Sequence, residues 1–317
     1  MPFQTRMNVN PPVGVEGGFA SENPRKTLPA SNGAFVADPV NGATLGRFCW
    51  ADSTMSFVSN FAQSGIPVAP SGLLAAEMQA RVIQPEAESS MVVLPGAILE
   101  VFTDADIWMR DNVVAATPGQ KAFANLFDGS MLAANTGSFP TYSAGTGAVG
   151  KATFATNVMT VITATSGVLG IGDLISGAGL PFNTRVASFG SYNLGTGLGT
   201  VVLTTTPGTI TPAINFTSVP AEEFGGATGT ATFATDVMTV VSTTAGSFYA
   251  GQLIQSSGVT AGTYIVAQLS PATFQLSTTP GIITPAQAVT ASAWIETVFS
   301  VESLAGEGEL VKVGRSL

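Results

Sequence analysis

The sequence predicts an all-β chain, and three observations carry that prediction. First, residues 152–161, ATFATNVMTV, return as ATFATDVMTV at 231–240. The match continues through Leu174 and Leu253, Ile175 and Ile254, and Thr211-Pro212 and Thr284-Pro285. Early pairs are 79 positions apart and late pairs 73, so the first copy carries six extra residues, placed at SYNLGTGLG. Second, the runs VMTVIT, VVLTTT, VMTVVS and TFQLSTT are rich in Val, Thr and aromatics, which suit strands. Third, the 317 residues include 36 Gly and 19 Pro, and only 10% are charged. That composition punctuates short strands with turns. A mean hydropathy of +0.38 argues against disorder. Two copies are too few for a solenoid, so the block reads as two small sandwich- or barrel-like modules in series, residues 146–220 and 226–292.

Each part of the chain has its own signature. Residues 1–33 are broken by Pro and Gly and read as an extended arm with apolar anchors, among them Phe3, Val9, Val13 and Phe19. Pro11-Pro12 stiffens it, which lowers the cost of ordering on a partner surface. AFVA, GRFCWAD and MSFVSNF then read as strands, with Phe48 and Trp50 as core. Residues 71–84 have the best local helix propensity, stopped by Pro85. Residues 86–132 alternate strands with Pro-Gly turns and end in a hairpin at Asp128-Gly129.

Charge and residue types exclude several functions. With no His there is no His-based triad or His metal ligand. Cys49 is the only cysteine, so no intrachain disulfide forms, which fits a reducing site of synthesis. Net charge is −9 without a basic cluster, so no direct nucleic-acid contact is expected. No apolar run reaches the ~18 residues of a membrane span, and the start lacks the apolar core of a signal peptide. Asp104, Asp106 and Asp111 lack the glycine and terminal Glu of an EF-hand loop and read as solvated turn aspartates. Glu86 and Glu88 share a strand face without a visible cleft. GTGLG at 195–199 reads as a loop, and Glu307 and Glu309 as solvent-facing charges on an edge strand. No catalytic, cofactor or metal residue is assigned, and no enzyme activity is expected.

GGFASENPR, GRFCWAD, PEAESSMVVLPGAILEVF and TPGQKAFANLFDGSM resemble the structural cement (capsid decoration) proteins of tailed bacteriophages. IETVFSVESLAGEGELVKVGRSL is similar to that family's closing segment. The resemblance covers about 1–135 and 293–317 and leaves out 146–292. It implies a jelly-roll-like β domain, 34–145 plus 293–317, with the two modules inserted at a hairpin tip, where insertions are tolerated. It also implies a virion structural protein on the outside of the head, made in the host cytoplasm, that bridges subunits of the major capsid protein. Phe3, Val9, Pro11, Pro12, Val13 and Phe19 are then the expected capsid contacts. A fibre or adhesin-like protein whose repeats bind host glycans is the alternative.

The middle of the chain, 146–292, holds two basic and four acidic residues. A surface so poor in charge reads either as Thr/Ser-covered β modules or as one partly buried against sister copies in an oligomer. In VMTV the Met and second Val point to one side and the Thr to the other, so Thr160 and Thr239 are the expected homo-oligomer contacts. A trimer is favoured over a dimer.

Overall fold

The computed structural model describes residues 14–76, 91–111, 114–140, 147–220 and 224–315. Twelve short strands come first: β1 (Lys26–Thr27), β2 (Phe35–Ala37), β3 (Ala43–Thr44), β4 (Phe48–Ala51), β5 (Phe57–Ser59), β6 (Gly72–Leu73), β7 (Val92–Val93), β8 (Ile98–Leu99), β9 (Phe102–Asp104), β10 (Ile107–Arg110), β11 (Lys121–Asn125) and β12 (Met131–Ala134). The first copy holds β13 (Val149–Ala155), β14 (Val158–Ser166), β15 (Leu174–Gly177), β16 (Val186–Phe189), β17 (Gly199–Leu203) and β18 (Ile210–Val219). The second holds β19 (Ala227–Ala234), β20 (Val237–Gly246), β21 (Leu253–Ser256), β22 (Ile265–Ser270), β23 (Thr273–Leu276) and β24 (Ile283–Ser292). β25 (Trp294–Val301) and β26 (Leu310–Arg315) close the chain. The protein is all-β: among the described residues the single helical element is a 3₁₀ turn at Gln63–Gly65. Of the expected helix at 71–84, residues 72–73 form β6 and 77–84 lie outside the described residues.

A seven-stranded sheet, β1-β9-β6-β4-β5-β2-β8, packs on a five-stranded sheet, β10-β26-β25-β11-β12. Phe48, Trp50, Leu73 and Phe102 of the first sheet share a core with Phe123, Met131, Phe299 and Val313 of the second. The rings of Phe48 and Phe299 lie 5.9 Å apart. The first sheet is buried on its other face too, where Phe35, Cys49, Val58, Leu74 and Leu99 form a second core. Successive residues Phe48, Cys49 and Trp50 therefore go to alternate cores, which explains an unbroken apolar run in β4. Burial pushes the Cys49 thiol well above its ordinary value.

Two carboxylates assigned to solvent by sequence, Asp106 and Asp111, are instead structural. Asp111 is fully buried; its Oδ2 accepts from Ala133 N at 2.9 Å and its backbone bridges Met131, joining the far edges of the five-stranded sheet. Asp106 accepts from Ser21 Oγ and, at 2.7 Å, from Asn23 Nδ2, and pairs with Lys312 at 3.3 Å. Burial alone would raise its carboxyl, but these hydrogen bonds and the Lys312 charge hold it below the ordinary range. Unpaired buried carboxylates are costly, so each must be met by donors once the chain closes around it. Glu307 lies in the turn joining β25 to β26, and Glu309 at its end accepts from Gly306 N at 2.7 Å. Both are exposed as expected, but on that turn rather than on an edge strand.

The two copies have the same strand order, β15-β18-β13-β14-β17-β16 and β21-β24-β19-β20-β23-β22. Each sheet closes on itself. In the first, Leu174 bridges Arg185, and Ile175 N donates to Thr184 O at 2.7 Å while Val186 N donates to Asp173 O at 3.0 Å. In the second, Leu253 bridges Tyr264, with Ile254 N to Thr263 O at 2.7 Å and Ile265 N to Gln252 O at 2.9 Å. The modules are thus small six-stranded barrels, and closure removes the unpaired edges that invite aggregation. Phe154, Met159 and Phe216 fill the first; Phe233, Met238 and Phe274 fill the second. Each opening hairpin turns through a threonine with positive φ, Thr156 at 56° and Thr235 at 55°. The extra residues of the first copy lengthen the β16–β17 loop; its counterpart is Pro271-Ala272.

Both barrels meet the β domain at one junction. Phe127, from the β11–β12 loop, packs on Phe182 of the first barrel, Phe224 between the barrels and Tyr249 of the second, with centroids 5.6, 5.8 and 4.9 Å away. Arg185 donates to Phe127 O, binds Asn183 Oδ1 at 2.8 Å and lies 4.4 Å from the Phe224 ring centroid. Burial pulls its guanidinium down to about 10, against the charge of Asp128, so it stays cationic at neutral pH. Asn125 Nδ2 donates to Phe224 O at 2.7 Å, and Tyr249 OH to Gly225 O at 2.6 Å. Truncating a buried Phe costs about 3–5 kcal/mol. Phe127→Ala should therefore lower unfolding stability by about that much in a denaturant titration.

Candidate functional site

A face for binding a large partner has to be apolar where it is buried and uncovered in the free protein. The end of the seven-stranded sheet supplies such a face. Val36 of β2 is in register with Ile98 of β8 on one side and Phe57 of β5 on the other. Alternation sends Phe35, Ala37, Val58 and Leu99 inward, so Val36, Phe57 and Ile98 form a row outward. Ile98 is 65% exposed and Phe57 41%. β8 is the last strand of its sheet.

Asp52 shapes the turn that carries Phe57. Its Oδ1 accepts from Ser56 N and Phe57 N, each at 2.8 Å, and its Oδ2 from Thr54 Oγ1 and, at 3.0 Å, Thr54 N. The slight burial raises its carboxyl, but the Thr54 hydroxyl and three backbone N–H groups outweigh this and bring it down to about 2.

The root of the N-terminal arm is fastened to the β domain. Gly17 N donates to Trp108 O at 2.7 Å, Trp108 N to Gly18 O at 2.9 Å and Ala20 N to Asp106 O at 2.8 Å, which pairs the outer side of β10. Gly17 has φ of 74° and lies against Gly46, Ala76 and Met91, where a Cβ would be strained by the backbone and tight against its neighbours. Phe19 meets Phe102 edge-on at 5.2 Å, and Arg25 sits 3.4 Å from its ring centroid. Glu16 and Arg110 pair at 3.1 Å. Phe19 is thus held by its own domain. Phe3, Val9, Pro11, Pro12 and Val13 lie outside the described residues, as do Glu86 and Glu88.

A family model described as structural cement protein (E217 gp24/Pam3 gp6) matches residues 3–174, more than half of the chain. The chain belongs to the structural cement protein family. A structural place in the phage capsid, in association with the shell, comes with that membership. The matched span of this family member holds the arm, the β domain through β12, and β13 and β14 of the first barrel. It runs on through 146–174, which the sequence resemblance leaves out, and stops before β25 and β26, which the resemblance includes. No curated protein matches the chain.

The remaining candidates fall on the barrels. Thr160 faces Thr153 and Thr200 in register, and Thr239 faces Thr232 and Thr273. Thr160 is half-buried and Thr239 exposed, while Met159 and Met238 point into the cores. Among the described residues no cluster of three or more Cys, Asp or Glu is placed to hold a metal ion. Sequence reasoning missed Val36, Phe57 and Ile98 because strands of two or three residues show no periodicity.

The Asp52 turn responds to acid. Its folded value lies near 2, below the ordinary 3.8, so folding stability from this group is full above about pH 4 and is lost as pH falls toward 2. Asp52→Asn should make stability near neutrality lower and remove part of its decline between pH 4 and 2, which acid titrations of both proteins followed by near-UV circular dichroism will read.

Proposed function

We propose that this chain binds the outer surface of the phage head and bridges neighbouring subunits of the major capsid protein, with both barrels projecting away. Cement-family membership, together with an uncovered apolar row on the β domain, carries this reading. The row of Val36, Phe57 and Ile98 supplies apolar area to bury. Phe3, Val9, Pro11, Pro12 and Val13, which precede the root fastened at Gly17 and Phe19, are the proposed contacts to a neighbouring subunit. Residues 34–145 and 293–317 act as one shell-binding domain, since β25 and β26 lie inside the five-stranded sheet.

The mechanism is binding rather than chemistry. Packaged DNA presses shell subunits apart. A bridging protein adds its interface free energy to the shell, and many symmetric copies multiply it. Specific interfaces bury about 1,200–2,000 Å² in total, within reach of a sheet end plus an extended arm. Synthesis in the host cytoplasm fits a chain whose single thiol, Cys49, is buried.

The test is decoration of undecorated heads, followed by cryo-EM and by release of DNA on heating. Ile98→Asp should cut occupancy at least tenfold, because a charge placed in an apolar contact costs more than 1.4 kcal/mol, one decade in affinity. Deleting residues 1–13 should lower occupancy without changing the melting of the free protein. Full occupancy by both variants, or density confined to the tail, would overturn the reading.

A further inference from the structure

The two barrels touch through different faces. The second barrel offers Ser247–Gly251 and Gln268; the first offers β15 and the β15–β16 loop. Ser176 Oγ bonds Gln268 Oε1 at 2.7 Å, and the Phe182 ring lies against Gly251 and Phe127. Above this contact a cleft of about 350 Å³ runs between Asn215 and Thr217 on one barrel and Val241 and Pro271 on the other. The contact is therefore head to tail. Because the barrels are copies of each other, each contact face exists twice, and one of each kind is unused within the chain.

The unused head is on the first barrel. Offsets of 79 place Val168, Ile171 and Phe189 where the second barrel has Ser247, Ala250 and Gln268. Val168 is 48% exposed and Ile171 61%. The long β16–β17 loop extends this face: Tyr192 OH accepts from Leu169 N at 2.9 Å, Tyr192 stacks on Phe189 at 5.3 Å, and Leu194 and Leu198 are exposed beside it. The unused tail is on the second barrel, where Gln255 and Ala261 stand at the positions of Ser176 and Phe182, both exposed. No charged residue lies among these positions.

We propose that a second copy of this chain covers the apolar head of the first barrel with the tail of its own second barrel, so that barrels of different chains are placed head to tail as they are within one. A heterologous contact of this kind closes into a ring when its rotation allows, and otherwise extends. In a closed trimer six barrels would alternate around the axis. The occupant is a sister chain because the tail of the same fold is the surface set against this head position within the chain, and on the second barrel Gln255 and Ala261 leave that tail uncharged and without the bulk of Phe182. The proposal holds whichever face of the β domain meets the shell.

The test uses the purified full chain without heads, so its outcome is independent of capsid binding. Sedimentation should show an oligomer for the wild type. Ile171→Glu, or Val168→Glu should the first fold poorly, removes the head; Ala261→Glu removes the tail. Each should sediment as a monomer with an unchanged melting temperature. Mixed in equal amounts, a head variant and a tail variant still hold one intact head and one intact tail between them, and should form a dimer and nothing larger. A monomeric wild type, an oligomer that survives both variants, or a mixture that stays monomeric would each overturn the proposal. So would loss of the oligomer in Thr239→Asp together with its survival in Ile171→Glu, which would move the sister contact to the threonine rows.

Discussion

The packing around Phe127 is the constraint on which the rest of the molecule depends. The chain leaves the β domain after β12, builds two barrels and returns at β25, next to β11. Its exit and its return are thus held close together by the sheet. Four aromatic rings and the Arg185 guanidinium fill the space between, and backbone carbonyls of Phe127, Phe224 and Gly225 accept the polar groups that are buried there. Low dielectric makes such a network costly if incomplete and stiff if complete. Here Arg185 is engaged by a carbonyl, an amide oxygen and a ring face, so the barrels are seated on the domain instead of trailing from it.

That seating has consequences for surfaces. A flexible insertion would be neutral toward assembly, whereas a seated one presents its faces in a set direction. Barrel closure at Leu174 and Leu253 pairs part of each outer strand, and the observed contact between the barrels uses side chains and loops. Within the chain that contact is Ser176 with Gln268 and Phe182 with Gly251. The paucity of charge over 146–292 has the same physical meaning inside and between chains: little desolvation cost when two such surfaces meet.

The β domain divides its work between two ends. One end, where the arm root caps β10, is rich in polar knots: Asp106 with Ser21, Asn23 and Lys312, and Glu16 with Arg110. The other end, at β8, is apolar and open. The proposed binding role would draw on both, the polar contacts for rigidity and the open apolar row for area to bury.

Much of the fold was legible in the residues. The duplication fixed two equivalent modules, because ATFATNVMTV and ATFATDVMTV carry the same inward Phe and Met at the same spacing. Asp128-Gly129 marked the β11–β12 hairpin, and Gly129 does take positive φ there. Short-range signals of this kind are written in adjacent residues, so the sequence alone determined repeat, class and turns such as this one, while its helix signal at 71–84 gave way to β6 at 72–73. Tertiary structure alone decided barrel closure, since Leu174 with Arg185 is a pairing between strands whose sequences say nothing about each other. It also decided that Asp106 and Asp111 are buried, that Phe19 belongs to its own domain, and that Val36, Phe57 and Ile98 align. These outcomes depend on which distant strands become neighbours, and that is set by the packing of whole sheets, not by any local propensity.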